Sequence, residues 1–266
     1  MLEKIRDKGK KRFFTEIFLI RMRYLLRILL FSLFRYSLLI SRKRFVNVSI
    51  DNLVVSFYFK TLNDLIRAKS LSGERKVISF LLNEIRSSDT VMDVGANIGT
   101  HSILFSKKSG FSGKVFSVEP NTLAVSKLKE NIKLNNLSNI QIFNVALGET
   151  NKQELLSVGE VRLGKSRIGS NSLYEKAKID VVMGDKLNSE NSLEIPNVIK
   201  IDVEGYEREV ILGLDKTLEN PNCRVVMVEF NSLEAGDLIE KKGFEIIYSS
   251  NRGSDTHRIY SKYNSS

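Results

Sequence analysis

The stretch Thr90–Thr100, Thr-Val-Met-Asp-Val-Gly-Ala-Asn-Ile-Gly-Thr, constrains this chain more than any other. Thr90–Val94 is a short β-branched and apolar run, which predicts a buried strand. Gly95 and Gly99 bracket a turn. The run from Thr100 through His101, Ser102, Ile103, Leu104 and Phe105 opens a helix, with Thr100 as the expected N-cap. A strand, a glycine turn and a helix N-terminus make a small-molecule cradle. Glycine lets a ligand approach the backbone, and the first helical N–H groups are free donors. Asp93 closes the strand with a carboxylate that a cationic or hydroxyl-bearing ligand could meet.

Spacing narrows the ligand. A dinucleotide site reads Gly-x-Gly-x-x-Gly and offers its donors to a pyrophosphate. This chain reads Asp-x-Gly-x-x-x-Gly, and its acid stands where a phosphate would be repelled. A ligand with positive charge and no phosphate fits better, and S-adenosylmethionine carries both a sulfonium and an ammonium.

From residue 89 onward, apolar strands alternate with amphipathic helices. Strand Val115–Val118 runs into Glu119-Pro120, and helix Leu123–Leu134 follows, capped by Asn121 or Thr122. Strand Ile140–Val145 ends at Ala146-Leu147-Gly148. Strand Val198–Ile201 ends in Asp202 and precedes helix Glu207–Leu214. Strand Arg224–Val228 ends in Glu229, helix Leu233–Lys242 stops at Gly243, and Phe244–Tyr248 with Thr256–Tyr260 form a closing pair. This pattern predicts an open, mostly parallel α/β sheet with helices on both faces. Ligands of such sheets bind beyond the carboxyl ends of the strands. Four of those ends carry an acid: Asp93, Glu119, Asp202 and Glu229.

Upstream, Phe45–Ile50 and Leu53–Tyr58 read as strands joined at Asp51-Asn52. Thr61–Ala68 reads as a short helix, and a longer one starts near Ser72. Residues 45–88 are expected to form a cap over the sheet's mouth or edge. Residues 149–196 are polar and rich in Ser, Asn and Lys, with Lys165, Arg167, Asn171 and Tyr174 among them. They read as strands and loops that reach over the crevice and select the second substrate, with Ile179–Met183 as an ordered strand.

Charge is uneven. Residues 1–44 carry 13 Lys/Arg and 3 Asp/Glu, whereas the remaining 222 residues carry 28 of each sign. A neutral body argues against a nucleic-acid channel. Within 13–40, Arg21, Arg23, Arg27 and Arg35 interrupt a Leu-, Ile- and Phe-rich run, and Ile28–Phe34 is far shorter than the ~20 apolar residues a bilayer span needs. Arginine can snorkel, so residues 1–44 are read as a basic amphipathic segment for an anionic membrane surface, or else for packing on protein. It lacks the features of a secretory signal. The lone Cys223 points to a reducing compartment and a buried, non-nucleophilic role. Together these features place the protein in the cytoplasm, peripheral to the inner membrane face. With two histidines and no three oxygen ligands fixed on one ion, no metal site is expected.

Several stretches resemble the FkbM family of S-adenosylmethionine-dependent methyltransferases. They are Val91–Thr100, Glu119-Pro120, Ala146–Gly148, Gly169–Leu173, Val182–Leu187 and Ile199-Lys-Ile-Asp-Val-Glu-Gly-Tyr-Glu207, in the family's order and covering about 89–248. The resemblance implies a Rossmann-like class I methyltransferase domain at 89–262, with a seven-stranded sheet whose last strand inserts antiparallel. It implies that Asp93, Gly95, Asn97 and Gly99 hold the methionine part of the cofactor, and that Glu119 accepts from both ribose hydroxyls. It also implies that Val145 and Ala146 border the adenine, and that Asp202 and Glu204 face the methyl group. Its implied reaction is methyl transfer to a hydroxyl of a sugar, a glycan (including a lipid-linked one) or a secondary metabolite. Asp202, Glu204 or His101 could take the acceptor's proton. Two alternatives remain open here: a nucleic-acid methyltransferase using the basic arm, and an inactive membrane-tethered binding domain.

Overall fold

The computed structural model describes residues 44–60, 62–158, 166–168, 176–230, 235–252 and 255–262, with positions 22, 25, 26, 27 and 29 near the N-terminus. The chain divides into two compact units, Met1–Arg44 and Phe45–Ser266. In the first, positions 22, 25, 26, 27 and 29 are helical and exposed, and Arg44 is exposed and outside any helix. The rest of the predicted basic segment lies outside the described residues, as do the Gly169–Leu173 stretch, Lys165 and Tyr174. Among the described residues no helix is long and apolar enough to cross a membrane.

The second unit starts with a hairpin, β1 (Phe45–Ile50) and β2 (Leu53–Tyr58), turned at Asp51, whose φ is +47°. Helices α1 (Leu62–Ser70) and α2 (Arg75–Glu84) follow. The alternating core then runs β3 (Thr90–Val94), α3 (Thr100–Ser109), β4 (Lys114–Val118), α4 (Thr122–Leu134), β5 (Ile140–Phe143) and β6 (Ala146–Gly148). Next come β7 (Lys152–Val158), β8 (Ser166–Ile168), β9 (Lys176–Met183), α5 (Gly184–Glu190) and β10 (Val198–Ile201). The chain closes with α6 (Glu207–Gly213), α7 (Asp215–Glu219), β11 (Val225–Phe230), α8 (Gly236–Glu240), β12 (Glu245–Arg252) and β13 (Asp255–Ser261).

The central sheet has the order β12-β13-β11-β10-β3-β4-β5. Strands β11, β10, β3, β4 and β5 pair in parallel, and β13 inserts antiparallel between β11 and β12. This is the Rossmann-like class I methyltransferase sheet, with the antiparallel last strand that the resemblance implies.

Alternation along each strand sorts side chains to two faces. Val91, Val115, Val198, Val225 and Ile259 pack with Val77, Ile78, Leu81 and Leu82 of α2 and Ile103, Leu104 and Phe105 of α3. On the other face Met92, Val94, Phe116, Val118, Ile199, Ile201 and Val228 meet Val210, Ile211, Leu214, Leu218 and Ile239. Both faces of the inner strands are therefore covered, which is why these strands read as continuous apolar runs.

Three details differ from the sequence reading. The helix after the glycine turn starts at Thr100, but Gly99 occupies the cap position in a left-handed conformation, and no side chain caps it. Ile140–Gly148 is two strands. Asn144 turns its amide onto the carbonyls of Glu119 and Pro120, and β6 leaves to join a four-stranded sheet ordered β6-β9-β7-β8. Within 149–196 a helix, α5, joins the expected strands.

Candidate active site

The turn after β3 is fixed by its neighbours. Gly95 and Ala96 donate to the Val118 carbonyl of β4 at 2.9 and 3.0 Å. Gly95 has φ +78°, and a Cβ there would lie 1.9 Å from the Asp202 carbonyl oxygen. No larger residue fits where the ends of β3 and β10 come this close. Asn97 also takes positive φ, +51°, which asparagine tolerates better than most residues. Its N–H donates to Glu119 Oε2 at 2.8 Å.

Glu119 stands one residue past β4 and is 6% exposed. Its second oxygen accepts from the Asn121 N–H at 2.8 Å, while the Asn121 side chain caps α4 by accepting from Leu123 and Ala124. One carboxylate thus ties the glycine turn to the start of α4. Each oxygen keeps a further lone pair for a ligand hydroxyl. Burial raises the Glu119 pKa, against the opposing pull of the two backbone N–H donors.

The two residues line an open cleft of about 810 Å³ with Gly95, Val94, Val118, Pro120, Asn121 and Ala124. Val145, Ala146, Leu147, Leu156 and Ile168 form its apolar wall, and Asp202, Val203, Glu204 and Tyr206 close it on the β10 side. Leu156 and Ile168 come from the second sheet, so part of the 149–196 stretch does reach the crevice.

Beneath the cleft runs a buried polar row. Lys200 and Ser117 flank Asp93 in strand register. The Lys200 side chain is 1% exposed and the Asp93 side chain is fully buried, with Nζ 3.1 Å from Asp93 Oδ1 and 3.3 Å from Asp202 Oδ2. Nζ also donates to the Gly95 carbonyl at 3.0 Å. Ser102 of α3 donates to Asp93 Oδ2 at 2.6 Å and accepts from Ser117 Oγ at 2.8 Å. Burial alone would lower the Lys200 pKa, but Asp202 and Asp93 outweigh it and raise it. Burial would raise Asp202, but Lys200 reverses that and holds it below the ordinary range. Asp202 is 32% exposed on its side chain, so it presents a standing negative charge to the cleft.

The structure brings Gly95, Asn97, Glu119, Val145, Ala146, Asp202 and Glu204 together around this one cleft. It sets three expected residues elsewhere. Asp93 does not reach the cleft, because its carboxylate is spent on Lys200 and Ser102. Gly99 packs on α4, where a Cβ would meet Leu128 Cδ1 at 2.3 Å. His101 is buried on the α2/α3 face, with Nε2 3.6 Å from Glu74 Oε2. Burial, with Lys200 nearby, pushes its pKa down to about 4, so its imidazole is neutral at pH 7. Lys200 was unassigned from sequence, although a lysine inside the apolar run Val198–Ile201 is itself a signal of a buried partner.

S-adenosylmethionine fits this donor set. Glu119 offers paired acceptors for two vicinal hydroxyls, the wall from Val145 to Ile168 suits a flat base, and Asp202 supplies charge for a cation. The remaining turn N–H groups are largely consumed by Val118 and Glu119, which leaves little for a phosphate.

The sequence comparisons agree with this chemistry. The Methyltransferase FkbM domain matches residues 93–246. Hexuronic acid methyltransferase AglP of Haloferax volcanii is 30% identical over 177 residues, spanning 65% of this chain and 69% of that protein. Methyltransferase 1 of Beauveria bassiana is 24% identical over 180 residues, spanning 59% of this chain and 72% of that protein. Among solved structures, a putative rRNA methylase from Clostridium thermocellum overlaps with a TM-score of 0.47 at 10% identity, over 74% of this chain and 97% of its own.

Proposed function

The chain belongs to the FkbM methyltransferase family, and on that premise we propose that its methyl acceptor is an oxygen of a sugar or glycan. It is an S-adenosylmethionine-dependent methyltransferase. The observation that carries the sugar reading is the 30% identity to a protein whose name gives hexuronic acid as what it methylates. The nucleic-acid and binding-domain alternatives have nothing comparable behind them.

When bound, S-adenosylmethionine supplies a methyl group already activated by its sulfonium. The chain's own task is then mostly positioning. In this reading Glu119 holds the ribose hydroxyls, and the turn at Gly95 and Asn97 holds the amino-acid end. Val145 and Ala146 flank the base. Asp202, kept ionised by Lys200, faces the cation. Glu204 lines the cleft beside it and is the candidate proton acceptor here, His101 being buried off the cleft. Glu204→Gln should lower kcat by about 10²-fold, the usual size of a general-base effect, with cofactor affinity little changed. Equal kcat in the variant would remove that role.

We read 1–44 as a basic segment that rests on anionic lipid at the cytoplasmic face, 45–88 as a cap, and 89–262 as the catalytic domain. The charge asymmetry supports the first. Unchanged sedimentation with anionic vesicles after removal of 1–44 would contradict it.

The acceptor is tested with methyl-labelled S-adenosylmethionine against glucuronic acid, galacturonic acid, neutral hexoses and RNA. Label in a sugar, lost in Glu119→Ala, is the expected result. Label in RNA alone would overturn the sugar reading.

A further inference from the structure

A second group of ionisable side chains lies outside the cleft lining. Glu229 and His257 are register partners across β11 and β13, on the same sheet face as Lys200. Their Oε2 and Nε2 atoms are 3.1 Å apart. Glu74 enters from the residue before α2, and one oxygen of each carboxylate and one nitrogen of His257 all lie within 4.8 Å of one another. His101, from the first turn of α3, completes the group. Its Nε2 is buried with no hydrogen-bond partner and stands 3.6 Å from Glu74 Oε2. The side chains of Glu74, His101 and His257 are 11%, 9% and 2% exposed.

We propose that Glu74, Glu229 and His257, with His101 beside Glu74, form a binding site for one first-row divalent cation in the Mn²⁺–Zn²⁺ range. Two carboxylates with imidazole nitrogen are the donors such ions take. Donors at about 2.1 Å from one ion stand roughly 3.0 Å apart at a right angle, roughly 3.4 Å apart at the tetrahedral angle and roughly 4.2 Å apart when opposite. The observed 3.1 Å pair lies between the first two spacings, and atoms at the 4.8 Å limit close by about 0.6 Å for an opposite pair or about 1.4 Å for a tetrahedral one. The donors come from residues 74, 101, 229 and 257, with no ligand spacing between them, which is why the sequence predicts no metal site.

This site stands apart from the methyl-transfer reading, because it is measured without cofactor or acceptor. The tag-free full chain, stripped with chelator, is titrated with Zn²⁺ and Mn²⁺ by calorimetry, and bound metal is counted after gel filtration. One equivalent should bind. Glu229→Gln and His257→Gln should each weaken it at least ~10-fold, the smallest loss that removing even an outer-sphere partner gives. No saturable binding below about 1 mM in the wild-type chain would overturn the proposal without any variant. So would binding that survives both substitutions in proteins with unchanged circular dichroism.

Discussion

The two edges of the central sheet treat charge in opposite ways. At the edge where the parallel strands begin, charged and polar groups pair locally. Arg224 pairs with Asp89, Lys114 with Glu194, and the Asn197 side chain bonds the Thr90 N–H and the Asn222 carbonyl. At the edge where the strands end, Asp93 and Asp202 share one buried lysine, Lys200, whose charge also acts on Glu119 and Glu74. The difference separates two uses of ionisable groups: one-to-one pairs hold loops in place at the first edge, and one buried lysine serves two carboxylates at the second. Burial, with Asp202 and Glu229 close by, pushes the Glu74 carboxyl up to about 7.

That contrast can be broken by removing one cation from each edge. Lys200→Met leaves two carboxylates around a buried site with no counter-charge, a change that typically costs about 3–5 kcal/mol. Chemical denaturation should therefore show the largest loss here, with cofactor binding lost as well. The loss should shrink at acid pH. Lys200 depresses the folded-state pKa of Asp202, so the stability this pair contributes is present above the ordinary aspartate value and lost as pH falls through the depressed one. A loss independent of pH would mean that packing, not charge, is what Lys200 supplies.

Gly95→Ala is the next largest. Its Cβ cannot occupy the 1.9 Å gap to the Asp202 carbonyl, so β3 and β10 must separate at the turn. Cofactor affinity should fall by about 100-fold or more, the effect of misplacing a site by about 1 Å. At the opposite edge Arg224→Met should cost only about 1–2 kcal/mol, since the pair is partly buried and hydrogen-bonded. Cofactor affinity should stay within about twofold. Lys114→Gln, on an exposed pair, should cost less than about 1 kcal/mol. If either of these two weakened cofactor binding as Gly95→Ala does, the edges would not be functionally distinct.

Much of the cleft could be read from local sequence. Asp93-x-Gly95 and Glu119-Pro120 each lie at a strand-to-helix junction, where period and turn chemistry are both local. The strand split at Asn144 was not legible, because β6 is claimed by β9, some 30 residues later, and only the folded chain shows which partner wins. Asp93 was misplaced for a related reason. Its sequence position faces the ligand edge, but its register partner is Lys200, which takes its carboxylate out of the cleft. Lys200 itself was visible as a charge in an apolar strand, and only the pairing of β3 with β10 gives it a role. The Glu74–His101–Glu229–His257 group has no sequence signal, since four separate elements deliver it.

The central claim is that Glu119 is the cofactor's anchor. It is tested most directly by calorimetric titration of the full chain and of Glu119→Ala with S-adenosylmethionine. The account predicts saturable binding to the wild-type chain and a loss of at least about 100-fold in the variant, since two hydrogen bonds to a charged group, each about 1.5–3 kcal/mol, are removed. Equal affinity in the two proteins, with the variant folded, would contradict it.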